Sequence, residues 1–180
     1  MAKKKVKNTT TVSSKVSNPN HPLTTKPTIT FDFSYSGWLK SVKRREFTNM
    51  LRDDSQFAEF LIQLFTKIIP TVQYNWNTIK TNAKYQFPHC HTISQDKISE
   101  VDQITYEIHG KALRDEMFND ELNYWQLGIS QSLRVIALYN HYNNTMYPLF
   151  LDYHHELHPS INHNQDDIYA YNYCPYHKFS

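Results

Sequence analysis

The stretch from Tyr124 to Pro159 constrains the fold more than any other part of the chain. It reads YWQLGISQSLRVIALYNHYNNTMYPLFLDYHHELHP. Three runs, 124–130, 133–139 and 146–153, are rich in β-branched and aromatic residues and are separated by short polar breaks, the pattern of consecutive antiparallel strands. Asn143 and Asn144 suit the hairpin turn between the last two, because asparagine tolerates positive φ better than most residues. Asp152, Tyr153, His154, His155 and His158 crowd the end of the last run.

Upstream, Ile29, Phe31, Phe33 and Tyr35 alternate with Thr30, Asp32 and Ser34, which predicts a half-buried strand. The segment LKSVKRREFTNMLRDD reads as a short helix with a basic first half. A longer helix follows: Phe57, Phe60, Leu61, Leu64, Phe65 and Ile68 form one apolar stripe at helical spacing. Asp53 can cap its start, with Gln56 three residues on as in a capping box, and Pro70 is expected to break or kink it. Residues 71–87 are a further helix or a loop. HCHTI (89–93) and QITYEIHGKAL (103–113) each suggest a strand, and DEMFNDELN a loop or a single helical turn. A helical turn is expected at 166–171.

The order of elements predicts an α+β fold, a curled antiparallel sheet with a two-helix hairpin on one face. Three segments follow. Residues 1–28 are a disordered basic arm, 29–159 the folded domain, and 160–180 a polar, Tyr- and His-rich extension. The arm lacks the apolar periodicity needed to bury a core. Residues 1–30 hold six lysines and no acid, so a formal charge of +2 for the whole chain leaves the body at −4. A basic arm on an acidic body adds non-specific attraction to nucleic acid. Only three glycines are present, while aromatics make up 14% of residues and must supply much of the core volume. No apolar run is long enough to span a bilayer, and no secretory signal is present. Cys90 and Cys174 do not make a disulfide framework, so reduced thiols and a cytoplasmic location are expected.

In TITFDFSY, the helices at 41–69, WQLGISQSLRVIALY and MYPLFLDYHHELHP, the chain resembles the RelE/ParE-like toxin superfamily. The likeness covers about 31–159. Its motif-like parts are Leu133-Arg134-Val135 and the histidine-bearing strand end. The resemblance implies a β-α-α-β-β-β domain from a bacterial or mobile-element toxin–antitoxin system. It implies RNA cleavage on the ribosome, inhibition of gyrase or, in some branches, no known catalysis; the leading expectation is a cytoplasmic endoribonuclease that uses no cofactor, with a cognate antitoxin as partner, RNA or the ribosome as target and no membrane association. RNA cleavage by the 2′-hydroxyl needs a base, a cation at the phosphate and an acid for the leaving oxygen. Arg134 is the candidate phosphate clamp. Tyr153, His154, His155 and His158 are the candidate catalytic groups, with His154 and His155 facing opposite sides of an extended chain. Lys40, Lys43, Arg44 and Arg45 are the candidate RNA-backbone contacts.

Each of these residues also has a purely structural reading. Arg134 can form a cross-strand ion pair with Asp152, and the basic run can be a solvated helix face. Two other functions compete with the nuclease. One is a non-catalytic relative that binds a protein partner. The other is a small zinc-stabilised protein, with Cys90, His91, Cys174 and His177 as the ligand set.

Overall fold

The computed structural model describes residues 26–44, 47–110, 122–129, 132–158 and 168–180. The expected arm (1–28) lies almost entirely outside these residues, as do most of the acidic loop, Arg45 and the first part of the extension.

A five-stranded mixed sheet forms the centre. Its strands are β1 (Thr30–Phe31), β4 (His91–Thr92), β5 (Leu122–Leu127), β6 (Arg134–Asn140) and β7 (Thr145–Asp152), in the order β1-β7-β6-β5-β4. β1 runs parallel to β7 and all other pairings are antiparallel. The expected hairpin is present, with Asn144 at φ 54 and its side-chain oxygen accepting from the Tyr139 hydroxyl at 2.8 Å. A register shift between Ile136 and Ala137 makes Arg134 the partner of Asp152. β1 is far shorter than its alternation suggests. The Asp32 carboxylate captures the Ser34 N–H at 2.8 Å and turns the chain out of the ladder.

The long helix starts where expected. Asp53 accepts the Gln56 N–H at 2.8 Å, while the Gln56 side chain takes the Arg52 N–H. α1 spans Asp54–Gln63, and α2 spans Ile69–Gln86. Between them lies a π-helical turn, Leu64–Ile68. The helix therefore runs through Pro70 instead of stopping. Ile69 donates five residues back to Leu64, and the new register puts Pro70 in the first turn of α2, where no N–H is needed. The same turn rotates Phe65 outward, to 52% exposed, so it leaves the apolar stripe.

Two expected elements are replaced. Residues 36–44 and 47–48 form a 3₁₀ turn (Ser36–Leu39) and an antiparallel pair, β2 (Lys43–Arg44) with β3 (Phe47–Thr48), in place of a helix. Asn49 is the reason. Its side chain accepts the Val42 N–H at 2.7 Å and donates to the Leu151 carbonyl at 2.8 Å, an alternative to helical hydrogen bonding. Residues 95–109, half of them expected in a strand, form α3 (Gln95–His109). Val101, Ile104, Thr105 and Ile108 are buried along one face at helical spacing. The β-branched residues favour strand locally, and the burial of that stripe overrides them.

α3 changes the layer count. α1 and α2 pack on one face of the sheet against Val135, Ala137 and Tyr139. α3 packs on the other, against Ile136, Leu138, Leu149 and Phe150. Helices thus cover both faces, and β6 is buried on both sides. At the C-terminus, a 3₁₀ turn (Ile168–Ala170) and α4 (Pro175–Phe179) follow, and Tyr173 bridges to Leu51. No helix among the described residues is long and apolar enough to cross a membrane.

Candidate functional site

At one end of the sheet the start of β6 meets the ends of β5 and β7. Arg134 sits there on the α3 side, in phase with Ile136 and Leu138. It is only 2% exposed. Its side chain crosses directly over Gly128, where a Cβ would come within 2.6 Å of Arg134 Cδ. Nη1 donates to the Leu133 carbonyl at 2.9 Å, and Nη2 lies 3.3 Å from His89 Nδ1. A guanidinium only donates, so His89 Nδ1 is an acceptor and the ring carries its proton on Nε2.

His89 closes a turn, in which the Cys90 N–H donates to the Phe87 carbonyl at 2.9 Å, and His91 opens β4 on the other side of Cys90. Cys90 points into the core and both imidazoles stay half-buried. His91 Nδ1 donates to the Thr92 carbonyl at 3.0 Å, and Gln126 Nε2 lies 3.1 Å from His91 Nε2. The His158 ring stands edge-on to His91, with centroids 5.7 Å apart. His155 approaches from the turn after β7, held at φ 62, a left-handed conformation uncommon outside glycine. Burial lowers the pKa of His89, with further lowering from Arg134 and His91. Burial, then Arg134 and the neighbouring imidazoles, push His155 down to about 4. Burial, then His91 and Lys97, lower His158, while Asp96 and Glu100 on α3 oppose the shift. The cluster is thus one buried cation among imidazoles pressed toward neutrality.

The turn that presents His155 is organised by Asp152. That fully buried carboxylate accepts N–H groups from His154 (3.3 Å), Glu156 (2.9 Å) and Leu157 (3.0 Å). Burial still raises its pKa against those donors. Glu156 is also buried, and burial followed by Asp152 lifts it to about 7.

Two candidates lie elsewhere. Tyr153 is 1% exposed and packs on Phe60 of α1, in the core on the opposite face, where burial raises its pKa. His154 donates to the Met50 carbonyl at 2.7 Å and faces Tyr171. It diverges from His155, because the chain turns between them, with His155 in the left-handed region. The basic run is not helical. Lys40 closes the 3₁₀ turn, and Lys43 donates to the Tyr169 carbonyl. Arg44 contacts Glu107 (3.2 Å) and Gln103 (2.7 Å) on α3. Arg45 lies outside the described residues. A groove of about 420 Å³ between Arg44 and α3 is lined also by Asp96, Ser99 and Glu100, so it abuts the His158 side of the cluster.

The proposed zinc ligands do not assemble. Cys90 Sγ contacts the Gly128 carbonyl at 3.2 Å, and burial raises its pKa to about 11. Cys174 Sγ accepts the Ser41 N–H at 3.3 Å. Among the described residues, no group of three or more His, Cys, Asp or Glu side chains is arranged to hold a metal ion.

From the sequence, His91 is expected only as a metal ligand, and His89, Gln126, Gly128 and Glu156 carry no expected role. The His-Cys-His triplet carried a usable signal, since a buried cysteine between two half-buried imidazoles marks a polar edge of the core. Gln126 and Gly128 gave none, because their roles depend on the β5–β6 register.

A mixed sheet with helices on both faces and a charged cluster at one end defines an α+β protein. The chain belongs to the family described as uncharacterised protein UU032, whose model matches residues 34–180 and so contains the whole cluster. It is 30% identical over 178 residues to the uncharacterized protein UU032 of Ureaplasma parvum serovar 3 (strain ATCC 700970), across 98% of this chain and 96% of the relative. No solved structure matches the chain.

Proposed function

We propose that the chain is a RelE-like endoribonuclease of a bacterial or mobile-element toxin–antitoxin system, cleaving RNA by 2′-hydroxyl attack without a metal. The observation that carries this reading is Arg134 buried beside His89, with His155 close enough to feel its charge and His158 stacked edge-on against His91. His155 is neutral at physiological pH and takes the 2′-hydroxyl proton as O2′ bonds to phosphorus. Arg134 supplies the positive field for the charge that develops on the phosphoryl oxygens. Burial, His91 and Lys97 hold His158 below its usual range, so it is the protonated minority, favoured by Asp96 and Glu100, that donates the proton to O5′ as the P–O5′ bond breaks. The product is a 2′,3′-cyclic phosphate and a free 5′-hydroxyl.

A second reading rests on the groove beside the cluster. Asp96 and Glu100 line it and Arg44 is engaged with α3, an arrangement that suits a protein partner such as a cognate antitoxin better than a polyanion. Induced expression in a bacterial host separates the two. The nuclease reading expects growth arrest that is lost in Arg134→Gln and His155→Gln while both variants remain folded. Normal growth with the wild-type chain favours the binding module.

A further inference from the structure

The turn after β7 holds a feature that RNA cleavage does not use. Its hydrogen bonds converge on Asp152, and His155 is kept at φ 62 within it. The next residue, Glu156, is 9% exposed, and its Oε1 is buried with no hydrogen-bond partner among the described residues. A buried carboxyl oxygen without a partner is costly when charged and far less so when protonated. The charged group facing Glu156 is Asp152 at the end of β7. Asp152 in turn faces His154 of the turn and Arg134 of β6. From α3, Asp96, Lys97 and Glu100 face His158. No cation among the described residues contributes to the balance of Glu156 itself.

We propose that the 152–158 turn is a proton-operated catch with Glu156 as its latch. Neutral and buried, Glu156 holds the turn shut; ionised, it lets the turn open and carries His155 and His158 away from Arg134. Ionisation places a second negative charge beside the buried Asp152, while the left-handed strain at His155 favours release. The raised pKa of Glu156 agrees in sign. An open turn lets the carboxyl ionise at its usual 4.5, whereas the closed turn resists until about 7. Opening therefore grows as pH rises across that window and levels off above it. His155 acts oppositely, because its depressed value favours opening as pH falls below 6.5. The two adjacent residues oppose each other in the intact chain, so the Glu156 contribution is read by difference.

The catch goes beyond the RNA-cleavage reading and does not rest on it, since its readout is amide exchange. The Glu156 and Leu157 amides, which donate to Asp152, report opening directly. Their protection is compared between the full chain and Glu156→Gln at about pH 5.5 and about pH 7.5, so the His155 contribution cancels. The protection gained by the variant should be roughly twentyfold larger at the higher pH. An equal ratio at both pH values overturns the proposal. His155→Gln gives an independent check that leaves Glu156 in place. There the same amides should lose protection steadily as pH rises from about 5 to about 7.5, and a flat or opposite trend overturns the catch.

Discussion

Arg134 and Asp152 are register partners across β6 and β7, and between them they organise the whole end of the sheet. Arg134 reaches along its own side to Gly128 and His89. Asp152 gathers three N–H groups of the following turn. The cation orders the imidazoles of the β4–β5 side, and the carboxylate aims His155 at them. Asp152→Asn removes one acceptor and sets an amide N–H against a backbone donor. The cost should be about 1–3 kcal/mol, read as a lower urea midpoint with an unchanged slope.

Gly128 is the seat of Arg134. A methyl group there would sit 2.6 Å from Cδ and 3.0 Å from Nε and Nη1. Gly128→Ala should displace the guanidinium from His89 while leaving the sheet intact, at a cost of about 1–3 kcal/mol. Nitrogen-detected NMR of the His89 ring checks this, because loss of the Arg134 donor frees Nδ1 to compete for the proton. An unchanged His89 ring pattern in the variant would mean that Arg134 does not lean on this glycine.

The histidines set the acid limb of stability. His89, His155 and His158 all have folded values below the ordinary 6.5. The unfolded chain therefore binds more protons than the folded one as pH falls below 6.5. Their contribution is complete above that pH and is lost toward about 4, the folded value of His155. In Glu156→Gln, which removes one of the two opposing carboxyls (buried Asp152 is the other), unfolding free energy should fall as pH drops from 6.5 to 4.5. His155→Gln in that background should flatten most of the slope. Denaturant titrations across this range measure both.

The C-terminal strands were legible because their apolar runs are long and the Asn143-Asn144 turn between the last two is chemically explicit. The capping pair Asp53–Gln56 was legible for the same reason. Segment 39–51 was not, because Asn49 decides it through contacts with Val42 and Leu151, one of them about a hundred residues away. α3 was misread because Ile98, Val101, Thr105 and Ile108 favour strand residue by residue, while their spacing favours helix. That misreading hid the second helical layer. In the candidate site, Arg134 followed from alternation, whereas His154 and His155 diverge because the chain turns between them. Tyr153 was misplaced because alternation puts it on the face opposite Asp152, toward Phe60. His89 joins Arg134 only through the pairing of β4 with β5, which two short strand residues do not announce.

The central claim is that Arg134 and its imidazoles cleave RNA without a metal. The most direct measurement is end-group analysis of RNA incubated with the purified chain, ribosomes and a chelator, alongside Arg134→Gln. The account predicts new fragments ending in 2′,3′-cyclic phosphate and beginning with 5′-hydroxyl, formed about a hundredfold more slowly by the variant. Fragments formed equally fast by a folded Arg134→Gln, or intact RNA after incubation with the wild-type chain, would contradict it.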